Sequence, residues 1–387
     1  MIQIRRSGWV LLGTFLLGVM AIPVAASAGS QKAEPQKAEA EKKGATPSLK
    51  ETGVAFESAR LLSGADRVSA LEDLGRTTAS VLKGDLSKDE AAAATALSAQ
   101  IRYELNDYRG AAEEYRRAAG RLSGGPFVDD AEFASIRAME EAGQDVEAAG
   151  AWESWQKQYP QSPLRGEVHL AQAWNALRRG DTDLAGKQLA ALTQGSPWYD
   201  RDARVALAKA TLLYTQGKPV DALGVLGPKV TGASAVYLRG LCYRAKGSVL
   251  QSAAAFQEIT QRYPDSPLRD PAMLAKADAF LIARDYRSAS EEFSSVAKKA
   301  KDPRVVAEAE VRAAGSLFLA GAADSALGIL KSIVARYPDT DVAARAQFLV
   351  GEVLAGRGQN AEAIVEMNKV LKQYFQHSVA ASAQYRV

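Results

Sequence analysis

Side chains that commonly perform catalysis are scarce in this chain of 387 residues. It contains one cysteine, Cys242, and two histidines, His169 and His377. A single cysteine cannot form an internal disulfide, and two histidines give little basis for a histidine-based metal site. Cys242 lies in an apolar helical stretch, which predicts a buried or half-buried thiol. We expect His169 to pack between helices and His377 to be exposed.

Acidic residues occur as adjacent pairs, among them Glu113-Glu114, Glu140-Glu141 and Glu291-Glu292. Neighbouring residues of a helix point in different directions, so these pairs indicate solvated faces and not acid–base catalysis. Neither a Gly-x-Ser-x-Gly string nor a Cys-x-x-Cys pair occurs in the sequence, and a near-match to a phosphate loop has the wrong spacing. We therefore expect a protein that is not an enzyme and that needs no metal and no cofactor.

Composition favours a helical protein. Lys and Arg number 48 and Asp and Glu number 45, a formal charge of +3 that argues against electrostatic binding of nucleic acid. Hydrophobic residues make up 47% of the chain and aromatic residues only 7%, and much of the apolar content is alanine. Alanine together with Glu, Lys, Arg, Leu and Gln favours α-helix.

The N-terminus carries the pattern of an export signal. Arg5 and Arg6 precede a stretch without charge that ends in the small residues Ala26-Ser27-Ala28. This pattern predicts a signal peptide over residues 1–28, cleaved after Ala28, and a periplasmic or secreted protein. The alternative is an uncleaved inner-membrane anchor over residues 7–28, because about 20 apolar residues span a bilayer. Residues 29–47 are rich in Lys, Glu, Ala and Gln and are expected to be a low-complexity linker.

A repeat of about 37 residues runs through the remainder. Tyr-Pro strings begin at Tyr159, Tyr263 and Tyr337, and a weaker version begins at Tyr374. Each Tyr-Pro is expected to end a helix, and the Ser or Thr two residues beyond the proline to begin the next one. Between these strings, predicted helical pairs have tight turns at Asn106, Gly143, Gly180, Gly217, Gly247, Arg284, Gly321 and Gly358.

Side-chain size alternates in register with these turns. Seven residues before each turn the residue is small except once, namely Ala99, Ile136, Ala173, Ala210, Gly240, Ala277, Ala314 and Gly351. Five residues after each turn lies a second small residue, namely Ala111, Ala148, Ala185, Ala222, Ser252, Ala289, Ala326 and Ala363. Four residues further on comes a large apolar one, namely Tyr115, Trp152, Leu189, Leu226, Phe256, Phe293, Leu330 and Met367. Small residues let paired helices approach closely, and the large residue one turn later fills the gap beside them.

This pattern resembles the tetratricopeptide repeat (TPR) family, whose repeats carry small residues at positions 8 and 20, a large apolar residue at 24 and proline near 32. The repeat length and the Tyr-Pro-x-Ser ending are similar to bacterial envelope members, such as Tol–Pal-associated periplasmic coordinators and outer-membrane assembly lipoproteins. The resemblance implies an all-α fold, an α-solenoid wound as a right-handed superhelix of about nine helix pairs followed by a C-terminal helix. Residues 87–387 match it well, and residues 48–86 are expected to form a degenerate N-terminal capping repeat. One step between turns, from Gly217 to Gly247, is only 30 residues, which predicts shortened helices near Leu226–Ala235.

In such arrays positions 5, 9 and 12 of the first helix of each pair line the concave side, and the resemblance therefore implies a partner-binding face. The candidate partner-binding residues are Tyr103, Phe133, Arg137, Trp174, Tyr214, Tyr237, Arg244, Phe318 and Phe348. Aromatic residues and arginine dominate protein-binding hot spots, although each of these side chains could instead cover core between neighbouring repeats.

These observations favour a periplasmic, non-enzymatic scaffold that binds protein or peptide partners of the cell envelope on its concave face. From the resemblance, its process is expected to be envelope assembly, division or export. Two alternatives remain open at this point. One is a membrane-tethered organiser that self-associates through its terminal repeats, with membrane contact only through an uncleaved N-terminal segment. The other is an accessory subunit of an enzyme acting on the cell wall.

Overall fold

The computed structural model describes residues 47–387 apart from 123 and 126, and this part of the chain is all-α. The predicted signal peptide over residues 1–28 lies outside the described residues, as does the predicted linker over 29–47 except for its last residue. Two compact units are formed, one ending at Ala208 and the other beginning at Lys209.

The N-terminal unit is a series of four helical hairpins. Its helices are α1 (Leu49–Arg60), α2 (Gly64–Val81), α3 (Lys88–Glu104), α4 (Tyr108–Leu122), α5 (Val128–Glu141), α6 (Asp145–Gln158), α7 (Arg165–Arg179) and α8 (Thr182–Gly195). A short 3-10 helix, Pro197–Arg201, follows α8. Each helix packs against the next one along the chain, which is the arrangement of an α-solenoid.

The C-terminal unit continues the same architecture. The boundary between the units falls inside α9 (Ala203–Thr215). The remaining helices are α10 (Pro219–Leu226), α11 (Ala233–Ala245), α12 (Val249–Arg262), α13 (Arg269–Ile282), α14 (Tyr286–Lys299), α15 (Pro303–Leu319), α16 (Ala323–Arg336), α17 (Asp341–Gly356), α18 (Asn360–Gln373) and α19 (Val379–Arg386). The described residues thus contain the nine helix pairs and the final helix that the repeat predicts.

The tight turns within the pairs lie where the sequence places them. All eight predicted turn residues adopt a positive φ, from 62° at Arg284 to 87° at Gly321. Glycine reaches this left-handed conformation without steric cost, whereas Asn106 and Arg284 do so as larger residues. After Gly180 the chain turns back so that the Asp181 N–H donates to the carbonyl of Ala176 at 2.9 Å. This bond satisfies a carbonyl that the end of α7 leaves without a helical partner.

The small and large positions form the core of each hairpin. Every residue in the three series named above is buried, including the exceptional Ile136 at 5% exposure. In the N-terminal unit Trp152 and Trp155 are both fully buried and share a cluster with Val168. In the C-terminal unit Leu330 packs in a comparable cluster with the residues of α17. The alternation of side-chain size therefore packs paired helices closely, as predicted.

The Tyr-Pro strings end the second helix of a pair, but the next helix begins later than predicted. Tyr159 and Tyr263 each lie directly after the last residue of α6 and α12. The hydroxyl of Ser162 accepts the N–H of Leu164 at 3.1 Å within a turn, and α7 begins only at Arg165. The prediction that a Ser there begins the helix is wrong, because the proline that follows it is part of the turn. Thr340 does cap α17, with its hydroxyl accepting the N–H of Ala343 at 3.2 Å.

The short step of 30 residues produces the shortened helix that the sequence predicts. Helix α10 has eight residues, and Gly227 follows it with a φ of 42°. The guanidinium of Arg239 in α11 donates to the carbonyl of Gly227 at 2.6 Å and also to that of Val230. Two carbonyls of the segment that follows α10 are therefore satisfied by one side chain of the next helix.

Ion pairs link side chains that are about one repeat apart. Glu167 and Arg204 form a bidentate pair at 2.8 Å in the N-terminal unit, and Glu308 and Arg345 pair at 2.6 Å in the C-terminal unit. Both pairs are separated by 37 residues. Each of these two pairs joins the first helices of neighbouring helical pairs. Other pairs separated by 33 to 38 residues within one unit are Arg67–Glu104, Glu140–Arg178, Asp145–Arg178, Asp278–Arg312, Asp324–Arg357 and Glu352–Arg386.

The predicted capping repeat over residues 48–86 is a helical hairpin whose first helix is capped at its N-terminus. Ser48 and Glu51 exchange hydrogen bonds in a capping box at the beginning of α1. Leu74 is 8% exposed, but Ala70, assigned to the small position, is only half-buried. The hairpin is therefore less regular than those that follow it.

Candidate functional site

An open groove of about 930 Å³ lies within the C-terminal unit. Three of the candidate partner-binding residues line it: Tyr214 from α9 and Tyr237 and Arg244 from α11. Tyr237, Leu241 and Arg244 follow one another at spacings of four and three residues, which places them on one face of α11. We call this feature the Tyr237 groove. Its other wall is formed by residues 264–271, between α12 and α13, and by Lys301, Asp302 and Val305 at the start of α15.

The polar side-chain groups that α9 and α11 contribute to the Tyr237 groove form no hydrogen bond or ion pair with the described residues. Among the described residues, neither the hydroxyls of Tyr214 and Tyr237 nor the guanidinium of Arg244 has a hydrogen-bond partner or an ion pair. The Tyr237 ring packs edge-on against the buried ring of Phe256, with centroids 5.4 Å apart, so its position is fixed. Burial raises the pKa of Tyr237, so its hydroxyl stays protonated at neutral pH and can donate a hydrogen bond.

Two of the three carboxylates of the opposite wall are occupied by neighbours, whereas the third, Asp265, is exposed. Asp270 pairs with Arg269 at 2.6 Å and also accepts the N–H of Lys301 at 2.8 Å. Asp302 accepts the N–H of Arg304 at 2.9 Å at the start of α15. These bonds fix the wall, and the lining as a whole carries three cations, Arg244, Arg269 and Lys301, against three carboxylates.

Two further candidates in the C-terminal unit lie outside the lining of this groove. Phe318 is half-buried and packs so closely on α17 that a Cβ at Gly356 would lie 2.6 Å from its Cζ atom. Phe348 is half-buried beside the cluster that contains Tyr374 and Ala383. Both rings contribute mainly to packing between helices.

The four candidates in the N-terminal unit differ in accessibility. Phe133 is 4% exposed and its ring meets that of Trp152 at 5.1 Å, so it belongs to the core and offers little surface. Tyr103 is half-buried, with its ring 5.1 Å from that of Tyr108. Trp174 is also half-buried, and its indole N–H is buried without a hydrogen-bond partner.

Arg137, the remaining candidate, belongs to a buried charge network. It pairs with Glu140, whose side chain is 1% exposed and also receives hydrogen bonds from Arg178 at 2.7 Å and from the indole of Trp152 at 3.3 Å. The sequence-based assignment of the Glu140-Glu141 pair to a solvated face is therefore wrong for Glu140. The partners of Glu140 come from three helices. Only Arg137, three residues before Glu140 on the same helix, could have been identified from the sequence.

His169 and Cys242 are engaged in packing, and His377 is half-buried and not exposed as predicted, with its Nδ1 atom 3.5 Å from Oδ1 of Asp341. His169 is half-buried, with its Nδ1 atom 2.6 Å from Oε1 of Gln188. Cys242 is fully buried, and burial raises the pKa of its thiol to about 11, so it stays protonated and unreactive at neutral pH. Among the described residues, no three potential metal ligands of the His, Cys, Asp or Glu type come together. None of the helices in this described part is long and apolar enough to span a bilayer.

Sequence reasoning missed part of the groove. It named Tyr214, Tyr237 and Arg244 but not Leu241, Leu268 or Val305, which also line the groove. Leu241 lies four residues after Tyr237, a spacing that identifies the same helix face. The opposite wall belongs to turns, whose paths the repeat pattern did not specify.

Residues 228–386 match the model of the family described as a tetratricopeptide repeat-like domain. Among solved structures, the chain is similar to a signal transduction ATPase with numerous domains from Pyrococcus horikoshii that has a tetratricopeptide repeat sensor. The two are 15% identical, the match covers 85% of this chain and 55% of that one, and the TM-score is 0.55.

Two smaller solved proteins are also similar. A tetratricopeptide repeat protein from Parabacteroides merdae is 16% identical over 67% of this chain and 98% of its own, with a TM-score of 0.46. PilW, described as a type IV pilus biogenesis factor, is 15% identical over 56% of this chain and 96% of its own, with a TM-score of 0.47. No protein of curated function matches the sequence.

Proposed function

We propose, from the tetratricopeptide repeat-like domain that residues 228–386 form, that this protein is a non-enzymatic scaffold that binds polypeptide partners in the Tyr237 groove. One observation carries the proposal. Two tyrosine hydroxyls and one guanidinium converge on an open groove and have no partner among the described residues. Aromatic side chains and arginine contribute most to the affinity of protein interfaces, and they do so from pockets of this kind.

The chemistry of these groups supports binding more than reaction. A tyrosine whose pKa is raised stays protonated at neutral pH and cannot accept a proton there, and a guanidinium remains charged at every physiological pH. Together they can donate hydrogen bonds to backbone carbonyls and carboxylates of a bound chain. The buried Cys242 thiol does not line the groove and adds no nucleophile to it.

A periplasmic location in the cell envelope is part of the proposal and is supported by the N-terminal sequence. Arg5 and Arg6, the uncharged stretch after them and the Ala26-Ser27-Ala28 ending form an export pattern. N-terminal sequencing of the exported protein tests this. A mature start at Gly29 supports a released periplasmic scaffold, whereas an intact N-terminus in the membrane fraction would support the tethered alternative.

Site-directed photo-crosslinking tests the binding function. Tyr237 is replaced in the full chain by a benzophenone-bearing phenylalanine analogue, and cells are irradiated before the envelope fraction is isolated. The control is the same replacement at Leu250, which is 78% exposed on α12 and does not line the groove. We expect a discrete crosslinked partner from position 237 and none from position 250.

The crosslink must also depend on the groove. Adding Arg244→Gln to the position 237 variant is expected to weaken the crosslink without changing the melting temperature, because Arg244 makes no ion pair among the described residues. Equal crosslinking from positions 237 and 250, or none from either in an irradiated envelope, would contradict the proposed function.

A further inference from the structure

We propose that Asp270 is a positioning residue for the Tyr237 groove, because its carboxylate holds the turn between α14 and α15 where that turn forms the opposite wall. The consequence for partner binding rests on the proposed function. The connection between Asp270 and the turn belongs to the fold itself, so it can be measured without any partner.

One carboxylate bridges parts of the chain that are 31 and 32 residues apart. Asp270 lies in the first turn of α13, and its Oδ2 atom accepts the backbone N–H of Lys301 at 2.8 Å and that of Asp302 at 3.3 Å. Its Oδ1 atom accepts a hydrogen bond from Nη1 of Arg269 at 2.6 Å. The Nη2 atom of this arginine donates in turn to the carbonyl of Lys299 at 3.2 Å. The start of α13 is therefore joined to the end of α14 and to the turn after it.

The two N–H groups of the turn depend on this carboxylate. Helix α14 ends at Lys299 and α15 begins at Pro303, so only three residues connect them. The N–H of Ala300 still donates to a carbonyl of α14, but the next two N–H groups lie outside both helices. Among the described residues they bond only to Asp270. Removal of the carboxylate would leave both donors to water and release the turn.

The helices on either side of the turn are held by apolar packing that does not involve Asp270. Met273 of α13, Val296 of α14 and Ala309 of α15 are buried in one cluster. Loss of the Asp270 bonds is therefore expected to loosen residues 300–302 while the three helices stay packed, since local opening is governed by local contacts.

The position of the turn matters for binding because the turn lines the groove. Lys301 and Asp302 belong to the wall opposite the α11 face that carries Tyr237. A wall that is fixed before binding spares the partner the entropic cost of ordering it. Asp270 is therefore expected to strengthen binding by preforming the groove, and its effect does not depend on the charge of the partner.

Amide hydrogen exchange of the full-length protein, followed by mass spectrometry, tests the connection directly. Asp270→Ala is expected to accelerate exchange at positions 301 and 302 at least about tenfold, because both N–H groups lose a charged acceptor. A peptide from α11 should exchange as in the parent protein. Asp270→Asn retains one oxygen that can accept an N–H, so its exchange should be intermediate. This variant also keeps the test decisive if the alanine variant does not fold.

The matched control is Asp285→Ala. Asp285 also accepts a backbone N–H at the start of a helix, that of Ser288 at 3.2 Å, but it does not line the groove. Its removal should leave unchanged both the exchange at 301 and 302 and the crosslink from position 237. Asp270→Ala should weaken that crosslink at least about threefold, because the partner must then order the turn itself.

Three results would overturn the assignment of Asp270. The first is unchanged exchange at 301 and 302 in Asp270→Ala, even if the crosslink weakens, and the second is an equal acceleration in α11. The third is faster exchange with an undiminished crosslink, which would leave the scaffold function in place. Absence of any crosslink in the parent protein would instead reject the proposed function, and exchange would still decide whether Asp270 holds the turn.

Discussion

Gly240 of α11 lies against the ring of Phe256 in α12, so closely that a Cβ atom at position 240 would be 2.6 Å from Cε1 of that ring. Gly240 occupies a small position and Phe256 the large position of the same repeat. Their contact shows how the repeat specifies the distance between paired helices, because the Phe256 ring fills the space that the absent side chain of Gly240 leaves.

The first prediction compares Gly240→Ala with Gly351→Ala. Alanine normally stabilises a helix interior relative to glycine by about 1 kcal/mol. At position 240 the rigid Phe256 ring must move, so we expect a net destabilisation of about 1–3 kcal/mol by overpacking. At position 351 the obstructing atoms are Cε and Sδ of Met367, which can change rotamer, and the change should be close to neutral. Urea unfolding of the two variants measures the difference, and equal losses would contradict it.

A second prediction concerns Ala185, which is fully buried where α8 packs on α7. Ala185→Leu should push the two helices apart and cost about 1–3 kcal/mol. The control Lys187→Leu places the same side chain at an exposed position of the same helix and should change stability by less than about 0.5 kcal/mol. Similar melting temperatures for the two variants would show that the register of the repeat is misassigned.

Glu140 provides a third prediction. Its replacement by alanine leaves Arg137 and Arg178 without a shared carboxylate in a buried place, and we expect a loss of about 3–5 kcal/mol. Glu147→Ala removes an exposed carboxylate of the next helix and is the matched control, with an expected change below about 0.5 kcal/mol. Chemical denaturation measures both. A small loss for Glu140→Ala would mean that the network contributes little to stability.

The fourth prediction is a pH dependence centred on Glu308. Burial alone would raise its pKa, but hydrogen bonds from Arg345 and Arg312 outweigh this and lower the pKa below the ordinary value of 4.5. A lowered pKa in the folded state contributes stability that is fully present above pH 4.5 and is lost as the pH falls through the folded value. Glu308→Gln should therefore be less stable than the parent protein near neutral pH, with the gap closing in acid. Thermal unfolding across this range tests the sign, and a gap that widens in acid would contradict it.

Much of this fold could be predicted from the sequence because its signals are local. Asn106 and Arg284 were identified as turn residues by spacing alone, and both adopt the left-handed conformation that glycine adopts at the equivalent positions. Phe256 and Met367 were assigned to the core by their distance from those turns, and both are buried.

What the sequence did not predict depends on contacts between repeats. Arg239 of α11 holds the segment that follows α10, and Glu140 is buried between arginines from two helices. No spacing within one repeat specifies such partners. For the same reason, only one wall of the Tyr237 groove could be predicted from the sequence. The face of α11 follows from helical spacing, whereas the opposite wall at Lys301 and Val305 depends on where the turns run.

The ion pairs between residues about 37 positions apart give each helical hairpin an individual identity. Glu308 accepts Arg345 of α17, whereas Arg357, which directly follows α17, pairs with Asp324 of α16. Hairpins that look interchangeable in backbone geometry therefore differ in which charge they present to the preceding and the following neighbour. Shuffling, deleting or duplicating one of them would separate these charges from their partners, so the ion pairs favour the native order of the hairpins over a rearranged one.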